Sequence, residues 1–177
     1  MVLKKKFLLV VFSLFFFTYS KAQIEVAHLT SKGFSATGFG GFLNVAIPVT
    51  EGSSVTAEAG YYSFKDKPNE NQVLLVPFLL GYRYTLNGSG SGFYFEPTAG
   101  YSIGATDIQK DVVIDGKFAE QKAGGITTGL GTGYIFPGRI AFNLGLQYKR
   151  VFVAGDPALN VFSFRISHSL SYRKRED

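Results

Sequence analysis

Leu74-Leu75-Val76-Pro77-Phe78-Leu79-Leu80-Gly81-Tyr82-Arg83-Tyr84 alternates with a period of two. Leu74, Val76, Phe78, Leu80, Tyr82 and Tyr84 fill one set of alternate positions, and Leu75, Leu79, Gly81 and Arg83 fall in the other. Side chains two apart share a face of a strand, so the run reads as a strand with one wholly apolar face.

The same alternation recurs outward from this segment in both directions. Upstream, Phe39, Leu43, Val45 and Ile47 oppose Gly40, Asn44 and Ala46, with Phe42 breaking the pattern, and Val55, Ala57, Ala59 and Tyr61 oppose Thr56, Glu58 and Gly60. Downstream, Phe93, Phe95, Ala99, Tyr101 and Ile103 oppose Glu96, Thr98, Gly100, Ser102 and Gly104. Then Ile126, Leu130, Tyr134 and Phe136 oppose Gly125, Thr127, Gly129, Gly131 and Gly133, and Ile140, Phe142, Leu144, Leu146 and Tyr148 oppose Ala141, Asn143, Gly145, Gln147 and Lys149. The last run sets Phe162, Phe164, Ile166, Leu170 and Tyr172 against Ser163, Arg165, Ser167, Ser169 and Ser171. Short turns (Pro48 to Ser54, Asn87 to Gly92, Pro137 to Arg139) alternate with longer or polar connections at 65–71, 106–121 and 154–159. Keeping both ends of the chain on the short-turn side requires an eighth strand, assigned to Ile24–Leu29.

Directly opposed residues share a face, so parity constrains each hairpin. Closure at Leu86 and Phe93 satisfies it and sets Arg83 opposite Glu96. Pro137-Gly138 fails as a two-residue turn because it would oppose Tyr134 to Ala141; a three-residue loop, Pro137 to Arg139, restores the match. Asp115-Gly116 between Val112-Val113-Ile114 and Lys117-Phe118 is a type I′ signal, so the long loop is expected to form a hairpin of its own. Pro77 and Pro97 each remove a ladder donor inside a strand, and β-bulges are expected there.

Charge decides which face meets water. The polar face carries chiefly Gly, Ser and Thr, with Glu58, Arg83, Glu96, Lys149 and Arg165 nearly its only charges. A soluble surface is about a quarter to a third charged, so the polar face is read as interior and the apolar face as lipid-facing. Aromatics gather on the short-turn side (Tyr82, Tyr84, Phe93, Phe95, Tyr134, Phe136 and Tyr172), as expected of a lipid boundary. The fold class is therefore all-β: an eight-stranded antiparallel up-and-down transmembrane β-barrel, which leaves no unpaired backbone group in hydrocarbon. A soluble secreted β-barrel binding an apolar ligand is the alternative; it would place Leu74, Phe78, Leu144 and Leu146 at the centre and Glu58 and Arg83 in solvent.

The N-terminus supplies an address. Met1 to Lys6 is basic, Phe7 to Tyr19 is nearly all apolar, and Ser20-Lys21-Ala22 has small residues where a signal peptidase reads. Those 13 apolar residues would rise only about 20 Å as a helix, against a hydrocarbon core of about 30 Å. Residues 1–22 are thus expected to be a signal peptide cleaved before Gln23, and residues 23–177 the barrel domain. No Cys stands at the junction, so a lipid-anchored form is not expected. The formal charge of +5 reflects 18 basic and 13 acidic residues; taking away Lys4, Lys5, Lys6 and Lys21 leaves 14 basic. That balance removes the electrostatic case for nucleic-acid binding.

These features together resemble the small outer-membrane β-barrel proteins of OmpA/OmpX type, found in Gram-negative bacteria and common in Bacteroidetes. The resemblance implies a place in the cell outer membrane, contact with outer-membrane lipid, a monomer, and porin-family relatives. It also implies recognition of the last strand by the barrel-assembly machinery, with Phe164, Ile166, Leu170 and Tyr172 as candidates, although Arg173-Lys174-Arg175-Glu176-Asp177 follow the aromatic that usually ends such chains. No peptidoglycan-binding domain is expected.

Chemistry is sparse. The two histidines are His28 and His168. Outer-membrane lipid A deacylases carry His-x-Ser on a late strand, but Leu170 stands two after His168, and parity turns His168 to lipid. A lipid-modifying enzyme is the lesser alternative. Gly129-x-Gly131-x-Gly133 has strand spacing and no phosphate-loop lysine follows, so it reads as small residues making room in a narrow lumen. Asp107, Asp111 and Asp115 lack calcium-loop spacing. No catalytic residue, cofactor or metal site is expected. The site residues are structural: Arg83 paired with Glu96, and Glu58 and Arg165 as further lumen partners. The function expected is that of a non-enzymatic outer-membrane barrel whose surface loops, chiefly Thr106 to Gln121, meet an extracellular ligand.

Overall fold

The computed structural model describes residues 20–32, 34–65, 72–106, 113–114, 117–118, 121–122, 124–138, 142–155 and 157–169. Eight long strands follow the alternating segments: β1 (Ser20–Ser31), β2 (Phe34–Thr50), β3 (Ser53–Lys65), β4 (Gln72–Thr85), β5 (Gly92–Thr106), β9 (Gly125–Ile135), β10 (Phe142–Val153) and β11 (Leu159–Ser169). Three two-residue strands, β6 (Val113–Ile114), β7 (Lys117–Phe118) and β8 (Gln121–Lys122), lie in the connection between β5 and β9. The sheet runs β4-β3-β2-β1-β11-β10-β9-β5 and closes because β4 also pairs with β5. All these pairings are antiparallel, so the chain is an all-β, eight-stranded closed barrel. The eighth strand assigned from connection parity is β1, which begins at Ser20 and holds Lys21 and Ala22 in register with Asn44 and Leu43 of β2.

The apolar set faces out. Phe78, Leu80 and Leu146 are 50%, 67% and 60% exposed, whereas Glu58 and Arg83 are 5% and 3% exposed. This orientation excludes the soluble-barrel alternative, since water would have to wet a continuous wall of Leu, Val, Ile and Phe. Phe42, the exception in its strand, follows the pleat into the lumen and packs edge-on against Tyr62, centroids 4.7 Å apart. At the short-turn rim, Phe93, Tyr134 and Phe136 form a chain of edge-to-face contacts at 5.0 and 4.9 Å, continued by Phe142. Tyr172 lies outside the described residues.

Three local expectations are corrected. Register is unbroken across both prolines: Pro77 opposes Ser102, and Pro97 opposes Leu130. The ladder lapses on one side only, between Ala59↔Phe78 and Tyr62↔Leu75 beside Pro77 and between Gly81↔Thr98 and Tyr84↔Phe95 beside Pro97. A missing N–H affects just one neighbour, so no extra residue is required. The register does shift between Pro48 and Thr50, and β2 runs on to Thr50, leaving Glu51-Gly52 as the turn. The Pro137 connection is longer than three residues: Phe136 N–H donates to Phe142 O at 2.9 Å and Tyr134 opposes Leu144. Five residues, Pro137 to Ala141, therefore lie between them, a slide of two positions that keeps every face.

The hairpin expected in the long connection is present, with Val113 opposite Phe118 and Ile114 opposite Lys117. Asp115 and Gly116, like Asp107 and Asp111, lie outside the described residues. Ala105↔Lys122 and Thr106↔Gln121 continue the β5–β9 register beyond Gly124, at the level where Thr106 and Ala105 also oppose Val73 and Leu74 of β4.

Candidate functional site

Eight strands enclose so narrow a lumen that side chains fill it, and here they fill it in layers. Toward the long-connection end the layer is apolar: Leu29 and Ala27 from β1, Phe64 from β3, Val73 and Leu75 from β4, and Val161 from β11. Below it lies an ionic layer.

Arg165 on β11 is the hub. Its Nε donates to Glu25 Oε1 on β1 at 2.7 Å, and its Nη2 donates to Glu58 Oε2 on β3 at 2.6 Å and also to Gln147 on β10. Lys149 on β10 donates to Glu58 Oε1 at 2.8 Å and to Tyr62 Oη at 2.9 Å. Tyr62 and Ser163 both donate to Glu25. Arg83 on β4 pairs with Glu96 on β5, Nη2 to Oε2 at 2.8 Å and Nε to the same oxygen at 3.2 Å. Arg165 Nη1 stands 3.9 Å from that oxygen, which joins the two groups. Three carboxylates thus face three cations, each nearly shut off from solvent. Aromatic faces complete the cage: Lys149 Nζ sits 4.3 Å from the Phe42 centroid and Arg83 Cζ 4.9 Å from that of Tyr94.

Glycines clear space for these groups. A Cβ at Gly129 would stand 2.6 Å from Thr98 Oγ1, and one at Gly133 would press into the Leu144 backbone oxygen and stand 2.9 Å from a Tyr94 ring carbon, whereas Gly131 has ordinary room at 3.6 Å. Toward the short-turn end the lumen is polar, with Lys21 part-buried on the inward side of β1 and Gln23, Asn44, Asn143 and Ser167 buried, their side-chain polar atoms unpaired among the described residues.

The structure therefore brings together Arg83 with Glu96, and Glu58 with Arg165. Sequence reasoning omitted Glu25, and it placed Lys149 on the polar face without a partner. Parity along Ile24–Leu29 would have turned Glu25 inward; its partner Arg165 is 140 residues away, reached only through closure of β1 on β11. Of the assembly-signal residues, Phe164 and Ile166 face outward, each 43% exposed, while Leu170 and Tyr172 lie outside the described residues.

Little here can do chemistry. Among the described residues there is no group of three or more His, Cys, Asp or Glu placed to hold a metal. His168 is exposed on the outer face, between Ala22 and Phe142. His28, also outward, hydrogen-bonds Thr37 Oγ1 at 3.0 Å and Ser35 Oγ at 3.2 Å.

A closed eight-stranded barrel with an apolar outer wall narrows the comparisons to membrane barrels, and residues 11–170 match the family model described as outer membrane protein beta-barrel domain. The chain belongs to that family. This outer-membrane barrel accordingly resides in the cell outer membrane. Its fold is shared with solved structures of low identity. Neisserial surface protein A is 16% identical, with 85% of this chain and 95% of that one covered and a TM-score of 0.54. Ail, the attachment invasion locus protein of Yersinia pestis, is 10% identical, with 84% and 95% covered and a TM-score of 0.58. The N-terminal β-barrel domain of Pseudomonas aeruginosa OprF is 16% identical, with 83% and 96% covered and a TM-score of 0.50. None of the three points to a Bacteroidetes source. Among curated protein sequences there is no match.

Proposed function

We propose that this outer-membrane barrel is a closed, non-enzymatic and monomeric anchor that presents its long connections, chiefly Thr106 to Gln121, to contacts outside the cell. One observation carries the reading: the lumen is occupied in layers, with an apolar layer above one of paired charges. An ion crossing such a lumen would have to displace paired buried charges and then desolvate against Leu29, Phe64, Leu75 and Val161. The length of the β5–β9 connection and the β6–β7 hairpin it carries support a role for it beyond the membrane.

Reconstitution into planar bilayers tests closure, and no steady conductance is expected; ohmic channels from the folded, heat-modifiable protein would refute it. Display is tested by an epitope inserted between Asp111 and Val112, which antibody should reach on intact cells. Incubation with radiolabelled phospholipid or lipid A should release no fatty acid, and release would revive the enzyme reading.

Two further parts of the proposal rest on sequence. Residues 1–22 act as a signal removed before Gln23, supported by the basic, apolar and small-residue succession; mass spectrometry of the mature N-terminus tests it. The strand containing Phe164, Ile166, Leu170 and Tyr172 engages the barrel-assembly machinery, and Tyr172→Ala should slow assembly of the heat-modifiable form in cells.

A further inference from the structure

Arg150 is out of place by the logic of the wall. On β10 the outward positions are Phe142, Leu144, Leu146, Tyr148, Arg150 and Phe152, and the arginine is exposed with Tyr148 below it and Phe152 above. Its guanidinium carbon lies 5.3 Å from the Phe152 ring centroid. Among the described strand residues it is the one outward cation with an aromatic on each side along its own strand. A charge on a lipid-facing wall is costly and calls for a named partner.

Depth identifies the partner's level. The ten steps from Phe142 to Phe152, at about 3.3 Å each and a tilt of about 40°, span about 25 Å, the height of the apolar band of such barrels. Arg150 sits one outward step below the long-connection end of that span; with the long connections outside the cell, this is close to the outer-leaflet headgroups.

The flanking strands continue the polarity sideways. Register sets Arg150 opposite Thr128 on β9 and Asn160 on β11, Asn160 opposite Thr30 on β1, and Thr30 opposite Ser35 on β2. His28 lies one outward step below Thr30 and bonds Ser35. Tyr148 Oη donates to Asn160 Oδ1 at 2.8 Å, which leaves the Asn160 amide nitrogen as a donor beside Arg150. A row of donors thus crosses five strands, with Leu146, Phe162 and Phe164 exposed beneath it. Guanidinium, amide and hydroxyl donors in a row, above a greasy surface, match a phosphate group attached to acyl chains.

We propose that the outer face around Arg150, Asn160 and Thr30 binds the phosphate of an outer-leaflet glycolipid, whose acyl chains lie along Leu146, Phe162 and Phe164. The site lies on the wall and does not depend on the lumen being closed, but it rests on the proposed reading that the long connections face outside the cell.

Native mass spectrometry of the purified full-length protein in detergent tests this by titration with bisphosphorylated lipid A, its fully dephosphorylated form, and inorganic phosphate alone. The phosphorylated lipid should bind roughly tenfold or more tighter than the dephosphorylated one, and Arg150→Gln should erase that preference while Lys65→Gln, at the end of β3, retains it. Arg150→Lys should keep part of the preference, because the charge stays while the two-pronged geometry is lost. Unheated gel mobility confirms that each variant is folded before titration. Equal binding of the two lipids, or an unchanged preference in folded Arg150→Gln, overturns the proposal. Inorganic phosphate alone binding as tightly as the lipid also overturns it, because the site would then take a soluble anion.

Discussion

Removing one member of the Arg83–Glu96 pair should cost far more than removing both. The two side chains are 3% and 1% exposed and share two N–H···O contacts at 2.8 and 3.2 Å. At 2.8 Å the Coulomb attraction is about 6 kcal/mol for an effective dielectric of about 20, and desolvation of both ions takes back much of it. Truncation to Arg83→Ala leaves Glu96 buried, with Arg165 at 3.9 Å as its remaining salt-bridge partner; breaking a buried pair in this way costs about 3–5 kcal/mol. The remote arginine favours the lower end, so about 3 kcal/mol is expected. Arg83→Met combined with Glu96→Gln leaves no bare charge and should recover most of the loss. The assay is urea unfolding of the barrel in lipid vesicles, with the folded fraction read from unheated gel mobility. Because the chain has no Trp, an optical check needs Tyr emission or circular dichroism. A midpoint unchanged in Arg83→Ala, or a double variant that loses the sum of the two single losses, would refute the pairing.

Leu146→Arg places a charge on the outer wall where Leu146 is 60% exposed and should cost about 2–4 kcal/mol if that position lies near the bilayer midplane; the same change in a water-exposed strand would be near neutral, so the unfolding midpoint discriminates. Tyr62→Phe removes the hydroxyl that donates to Glu25 and accepts from Lys149, and should lower stability by about 1–3 kcal/mol without altering gel mobility. Gly133→Leu overfills the lumen beside Tyr94 and should lower the yield of heat-modifiable protein by at least as much as an overpacked core does, about 1–3 kcal/mol.

Period-two alternation made the architecture legible because each barrel wall has only two faces, and Leu74 and Arg83 could not both be wrong about theirs. Arg83 and Glu96 were legible as neighbours because a tight turn joins their strands. Parity, however, fixes a register only modulo two, and for that reason the Pro137 connection could slide from three residues to five with no side chain changing face. Glu25 and Lys149 were harder: their partners lie across strands joined by closure of the ring, which leaves no trace in local sequence. The prolines do not produce the bulges expected at them, because an antiparallel strand turns each N–H to one side alone and the other ladder runs on. The outward polar row escaped notice for a similar reason, since Arg150, Asn160 and Thr30 come from three separate hairpin arms.

The ionic layer straddles the seam between the first and last strands. Glu25 rides on β1, while Ser163 and Arg165 ride on β11, and these meet only when the two ends of the sheet are joined. An open sheet entering the bilayer would carry those groups unmatched along its free margins, beside amides that hydrocarbon cannot satisfy. Joining that last boundary satisfies both deficits together, so the pairing that closes the cylinder is also the pairing that completes its charged layer.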